Sequence, residues 1–380
     1  MSTTEQHFVP RVYLKAWETQ VETLTTPDIK FKGVYTFKEA NTLGNGANRK
    51  SILWKPHLYT ITFDHSYIMK SCPEIFSDFI DQIYKIMQNG FKKPLYAKLG
   101  YSKICTKQSI RKHFRDIDKW DFYYNDGNLA PQSVKQQIEK IKSFIIEDGL
   151  NKLYENHWLS ILESFINEMN VALPIAFDRS ERVIRYDTAI DMLSFFFIML
   201  CRNPNFNAMG VYTKIKNNFL YPMIDSLFHE IDQNNPDTST EKEPFSLADG
   251  YKYMDDLMTG VWYSELYRAM FKKSKGAFHT MIRYALEGCQ MVLFESKSSS
   301  TPFITSDNPA FEYKCNVVVD NMNGFIFPLS PNYLLFIAKG SEKINIVDYR
   351  YADYDTVKKF NSIIQQNKTE IVISNKKQLR

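Results

Sequence analysis

Pro302-Phe303-Ile304-Thr305-Ser306-Asp307-Asn308-Pro309 is an apolar, β-branched run that stops in a polar turn. Runs of this kind read as strands, and they recur through the last quarter of the chain. Met291-Val292-Leu293-Phe294 precedes it, and Asn316 to Val319, Phe325-Ile326-Phe327 and Tyr333 to Ala338 follow. A helix is expected over about 355–366, and a last strand at Glu370-Ile371-Val372-Ile373. At the other end, Gly33-Val34-Tyr35-Thr36-Phe37 and Leu58 to Phe63 have the same β-branched and aromatic character.

Between these ends the periodicity changes to that of helices. Ile75, Phe79, Ile83 and Met87 recur at helical spacing, with Pro73 suited to the start and Gly90 to the end. Val134, Ile138, Ile141 and Ile145 repeat every three or four residues, and Trp158 and Phe165 continue the pattern past a weak point at Gly149 until Pro174. A buried helix is expected over 187–201, ending before Asn203-Pro204, because a residue preceding proline avoids helical geometry. Further helices are expected near 211–233 and 246–274, around an exposed polar loop from Asp232 to Pro244. The expectation is one continuous α+β domain over 1–380. Its predominantly helical middle spans about 73–288, its β-rich part about 289–375, and N- and C-terminal segments together build a mixed or antiparallel sheet. Closing the sheet in this way brings His7 and Asp307 into one neighbourhood.

Composition supports a packed protein. Of 380 residues, 44% are apolar and 15% aromatic, enough to bury a large core. The 14 Gly and 15 Pro are few for the many turns of an all-β protein. A net charge of +4 is mildly basic and names no partner by itself. Cys72, Cys105, Cys201, Cys289 and Cys315 are scattered, and the first residues are polar, so a cytoplasmic protein with reduced thiols is expected. The most apolar segment, Ala189 to Cys201, is shorter than the roughly 20 residues of a membrane span. Gly-rich phosphate loops, paired CxxC elements, HExxH and GxSxG are missing from the sequence.

Gln6-His7-Phe8-Val9-Pro10 opens the chain with a residue that titrates near neutrality. His7 is read either as an acid/base or as a ring packed beside Pro10 and Tyr13. Arg11 and Lys15 lie one helical turn apart and can bind an anion. Asp307 either holds an Asx-turn or projects with Ser306 into a pocket as base, substrate clamp or metal ligand, magnesium being the metal considered. Arg202 closes the apolar helix, where a cation suits the helix dipole or clamps a phosphate. Two basic stretches follow the same duality of solvated face or nucleic-acid contact. One is Lys103 to Arg115, with Tyr101, Phe114 and Trp120 interleaved; the other comprises Arg268, Lys272, Lys275, His279 and Arg283. Glu295-Ser296-Lys297 matches half of a nuclease core, but Asp307 follows it rather than preceding it.

Gln6 to Trp17, with its Gln-His-aromatic-Val-Pro-x-x-Tyr-Leu pattern, and Phe303 to Pro309 together resemble the bacterial family known as domain of unknown function 4238. Arg202-Asn203-Pro204 and Phe327-Pro328-Leu329-Ser330-Pro331 are similar to further elements of that family. The resemblance runs from about 6 to 375. It implies one continuous fold, and it implies no activity. Two functions are expected from the residues. The first is a nuclease-like effector enzyme acting on nucleic acid or nucleotide, with bacterial anti-phage defence as the setting considered. His7, Arg202, Ser306 and Asp307 are its site, and Arg11, Lys15, Asn308, Arg268, Lys272 and Lys275 its substrate contacts. The second is a non-catalytic binding or sensor protein for nucleic acid or protein, in which the two motifs are structural.

Overall fold

The computed structural model describes residues 5–38, 41–60, 73–89, 93–169, 179–204, 220–226, 247–271, 280, 288–297, 301–313, 323–340 and 343–379. The helices are α1 (Arg11–Leu14), α2 (Pro73–Asn89), α3 (Lys107–His113), α4 (Gln132–Leu153), α5 (Trp158–Met169), α6 (Tyr186–Arg202), α7 (Leu247–Phe271) and α8 (Tyr354–Asn367). The first strands are β1 (Thr19–Val21), β2 (Phe31–Lys38), β3 (Asn45–Ala47), β4 (Leu95–Leu99), β5 (Ser102–Ile104), β6 (Asp121–Tyr124) and β7 (Arg179–Val183). The later ones are β8 (Cys289–Ser296), β9 (Thr305–Ser306), β10 (Phe311–Tyr313), β11 (Gly324–Pro328), β12 (Tyr333–Lys339), β13 (Ile346–Ala352) and β14 (Ile371–Ser374). The α+β class read from the sequence is the class of the fold.

Contacts group the chain into two compact units. One gathers Met1–Gln6, His57–Gly149 and Asn207–Phe271; the other gathers His7–Pro56, Leu150–Phe206 and Lys272–Arg380.

The second unit is built on a six-stranded mixed sheet in the order β10-β11-β12-β8-β13-β7. Central β8 runs antiparallel to β12 and parallel to β13. Because side chains alternate across a strand, Met291, Leu293, Leu335 and Val347 share one face, while Val292, Phe294, Leu334 and Phe336 share the other. The first face meets α5 and α6: Phe196 packs edge-on to Phe325, and the Trp158 ring lies 6.0 Å from Phe327. The second face joins Phe360 of α8 to Phe37 and Val372 in one buried cluster. Those last two residues belong to a second sheet, ordered β9-β14-β2-β1 with β3 also on β2. Here the expected joining of chain ends is realised, with Val372 opposite Phe37 and Ile373 opposite both Thr36 and Thr305.

The first unit holds the antiparallel sheet β5-β4-β6. Leu95, Ala97, Ile104 and Phe122 are buried on one face of it. Helix α2 buries Phe79, Ile83 and Met87, the stripe that the sequence spacing marks. In the same unit the Tyr267 hydroxyl donates to the Asp78 carboxylate.

Several local expectations change. Helix α4 runs straight through Gly149 and ends only near Tyr154. Pro302 to Ile304 is not strand, since its amides bond elsewhere: Phe303 N–H to the Pro331 carbonyl and Ile304 N–H to the Asn361 side chain. Leu58 to Thr60 forms a turn closed by the Thr60 N–H on the His57 carbonyl, and residues 61–63 lie outside the described residues. The expected strand at 316–319, Pro174, the loop at 232–244 and most of the helix at 211–233 also lie outside them.

Candidate functional site

The opening motif is anchored from below by its aromatic residues. Pro10 caps α1, a position that needs no N–H, and places Tyr13 inward. The Tyr13 hydroxyl donates to the Pro328 carbonyl at 2.7 Å and accepts from the Thr305 hydroxyl at 2.8 Å. Its ring stacks 5.7 Å from Phe327, and burial pushes its phenol well above the ordinary range. Trp17 donates from its indole nitrogen to the Phe303 carbonyl. Two aromatic residues of the first motif therefore clamp residues 303 and 305, at the entrance to the second motif.

In the second motif the polar side chains turn back onto the backbone. The Asp307 carboxylate accepts from Thr369 N–H at 2.9 Å through Oδ1, and from Glu370 and Ile371 N–H at 2.6 and 3.2 Å through Oδ2. It thus fastens the connection between α8 and β14, and only 3% of Asp307 is exposed. Burial raises its pKa above the ordinary carboxylate value and outweighs the three amides that favour the charge. The Ser306 hydroxyl accepts from Asn308 N–H and donates to the Asn308 carbonyl, and the Asn308 amide donates to the Asn367 carbonyl.

Consecutive residues at the end of α6 link the two motifs. Arg202, 1% exposed, donates to Glu155 Oε1 at 2.6 Å and to the His7 carbonyl. Asn203 donates to the Asp307 carbonyl at 2.8 Å. The His7 ring itself is half-buried and holds the Lys50 carbonyl through Nε2 at 3.2 Å. With the proton on Nε2, Nδ1 is left as the acceptor. Burial first, and then the Arg11 charge, lower the His7 pKa, so the ring is neutral at pH 7. The structure gathers His7, Arg202, Ser306 and Asp307 into one network. No hydrogen bond joins the His7 ring to the Asp307 carboxylate. Arg11 is half-buried and Lys15 exposed at the edge of this network.

Glu155 and Asn203 are the residues that sequence reasoning missed here. A guanidinium at the end of an apolar helix signals a need for an acidic partner.

The other candidates lie elsewhere. Arg268 pairs with Glu265 on α7, while Lys272 and Lys275 lie outside the described residues. Glu295 accepts from the Tyr333 and Tyr349 hydroxyls on the sheet, and burial raises its pKa. Among the described residues, no group of three or more His, Cys, Asp and Glu is placed to hold a metal ion.

In the first unit, pairing registers put Tyr96, Lys98, Lys103 and Tyr123 on the outer face of β5-β4-β6. The Tyr96 and Tyr123 rings stack at 5.6 Å, with Lys103 over the first at 4.4 Å and Lys98 over the second at 4.7 Å. Tyr101 stands fully exposed at the hairpin tip, beside Gly100, whose φ of +56° suits the tight turn. Within the first basic stretch, Lys107 pairs with Asp81 and Arg111 donates to Ser77.

Fold and network together define an α+β protein in which two motifs from opposite ends of the chain are fastened to each other. The chain belongs to the family described as protein of unknown function (DUF4238), whose model matches residues 5–378. No curated protein and no solved structure matches it. Among the described residues no helix is long and apolar enough to cross a membrane.

Proposed function

We propose that the chain is a non-catalytic nucleic-acid-binding or sensor protein, in which the His7 and Asp307 motifs are structural. The observation that carries this reading is the Asp307 carboxylate. Three backbone amides occupy it, which leaves it poorly placed to serve as base or metal ligand. Arg202 is likewise spent on Glu155 and the His7 carbonyl. The partner is read from the outer face of β5-β4-β6. Two lysines and the exposed Tyr101 offer the charge and the stacking plane that single strands use. Free Cys105 and Cys289 fit a reducing, cytoplasmic setting.

A second reading keeps His7 as an acid/base, because its ring is half-exposed and neutral with Nδ1 available. One experiment separates the two. Labelled single-stranded DNA and RNA are titrated with the wild type, a Lys98→Gln/Lys103→Gln variant and Tyr101→Ala, and followed by anisotropy at several salt concentrations. Parallel gels with magnesium or EDTA follow cleavage beside His7→Ala. Binding without cleavage is expected. Removing both lysines should make the log–log salt slope shallower by roughly 1.4, at about 0.7 per phosphate contact. Tyr101→Ala should cost about 1–3 kcal/mol if the ring stacks on a base. Cleavage that disappears in a folded His7→Ala variant overturns the non-catalytic reading.

A further inference from the structure

The second unit carries a trough along α8 that neither motif uses. One half is a cavity of about 510 Å³, the other of about 310 Å³, and Asn361, Gln365 and Leu379 border both. One helical stripe forms a wall: Lys358, Asn361, Ser362, Gln365 and Gln366 recur at spacings of three and one. The opposite wall is the end of the chain, held in place by Gly44 N–H on the Lys377 carbonyl and Leu379 N–H on the Thr42 carbonyl. The Asn361 amide is fixed by the Ile304 N–H and the Pro302 carbonyl, so the wall is rigid where the halves meet.

Among the described residues the lining has one sign of charge: Lys358 and Lys368 border the larger half, Lys376 and Lys377 the smaller, and no described Asp or Glu lines either. Lys377 is neutralised by Glu22 at 2.6 Å, which leaves Lys358, Lys368 and Lys376 as the cations that face the trough. Cations in a concave slot focus their field on an anion. The ammonium group is a point-charge phosphate binder, and Gln and Asn amides supply both donors and acceptors. The larger cavity lies within the ~300–1,000 Å³ of small-ligand sites. Lys358 and Lys368 are about 15 Å apart along the helix direction at ~1.5 Å per residue, the reach of an extended nucleotide or of a few linked phosphates.

We infer that the trough between α8 and the C-terminal segment binds nucleotide phosphates, with lysines on the phosphates and Gln365 and Gln366 on the base. The ligand is a free nucleotide or a short single strand. The site shares no residue with the lysine–tyrosine face, so either can fail without the other.

Calorimetric titration with ATP, the trinucleotide d(AAA), adenosine and inorganic phosphate tests it on the full chain. In a Lys98→Gln/Lys103→Gln background, which removes the strand-binding face, ATP or the trinucleotide should saturate at one per chain, and adenosine should not bind. Lys358→Gln/Lys368→Gln should weaken binding at least tenfold with an unchanged melting temperature, while Lys98→Gln/Lys103→Gln should leave it intact. ATP binding more tightly than the trinucleotide assigns free nucleotides, and the reverse assigns a strand; both uphold the site. It is overturned if neither saturates, if adenosine or inorganic phosphate binds as tightly as ATP, or if the Lys358→Gln/Lys368→Gln variant keeps wild-type affinity.

Discussion

Asp307 shows how a chemically able side chain can be committed to architecture. Its carboxylate accepts from the Thr369, Glu370 and Ile371 amides at once. Asp307→Ala leaves these donors unmet at about 1–3 kcal/mol each, so urea unfolding should show a loss of at least about 3 kcal/mol. Asp307→Asn keeps one acceptor oxygen and should lose less. A near-normal unfolding curve for Asp307→Ala would sink the structural assignment. His7 gives a pH test. Its folded pKa lies below 6.5, so on acidification the unfolded chain takes up the proton first. Stability should therefore fall as the pH drops below 6.5, down to the lowered folded pKa. His7→Asn should flatten the melting temperature against pH in that window, and an unchanged slope would remove His7 from the linkage. The residues of this network were legible in sequence, because polar groups at the ends of apolar runs stand out. Their roles were not. An Asx-turn and a catalytic carboxylate use the same two letters, and the deciding partners lie 62 to 64 residues away.

At the scale of elements, α6 explains why Arg202 is where it is. An apolar helix buries its whole last turn, and the guanidinium there meets both the dipole and Glu155. Arg202→Met strands a Glu155 carboxylate whose side chain is only 13% exposed, together with the His7 carbonyl. A loss of about 3–5 kcal/mol is expected from breaking such a pair on one side. Glu155→Leu added to Arg202→Met should recover most of it in a double-mutant cycle; additive losses would mean that the pair is not coupled. Helices such as α2 and α6, and strands β2, β8, β12 and β14, were readable because their apolar pattern is long. β13 was not, because a buried Asp348–Arg350 pair interrupts it. β4, β5 and β6 were missed because they are only three to five residues long and mix Lys, Ser or Asp with their apolar positions, and β5 overlaps what was read as a basic stretch from Lys103.

For the whole molecule, the decisive fact is that each unit is assembled from distant stretches. The second unit needs residues 7–56, 150–206 and 272–380 together. Its β9-β14-β2-β1 sheet has the last strand of the chain in an interior position, between β9 and β2. Pairing that strand with β2 closes a loop of more than 300 residues, an entropic cost the pairing must offset. Val372 and Phe37 also belong to the buried cluster under the six-stranded sheet, so losing β14 opens the core as well as an edge. A chain ended at Thr369 should therefore leave β2, β8 and α8 without protection in amide hydrogen exchange, while β4 and β6 of the first unit keep theirs. Protection of β2 and β8 at wild-type levels in the shortened chain would show that the second unit is closed by something other than its C-terminal strand. Loss of protection in both units at once would show that the two unfold as one cooperative body.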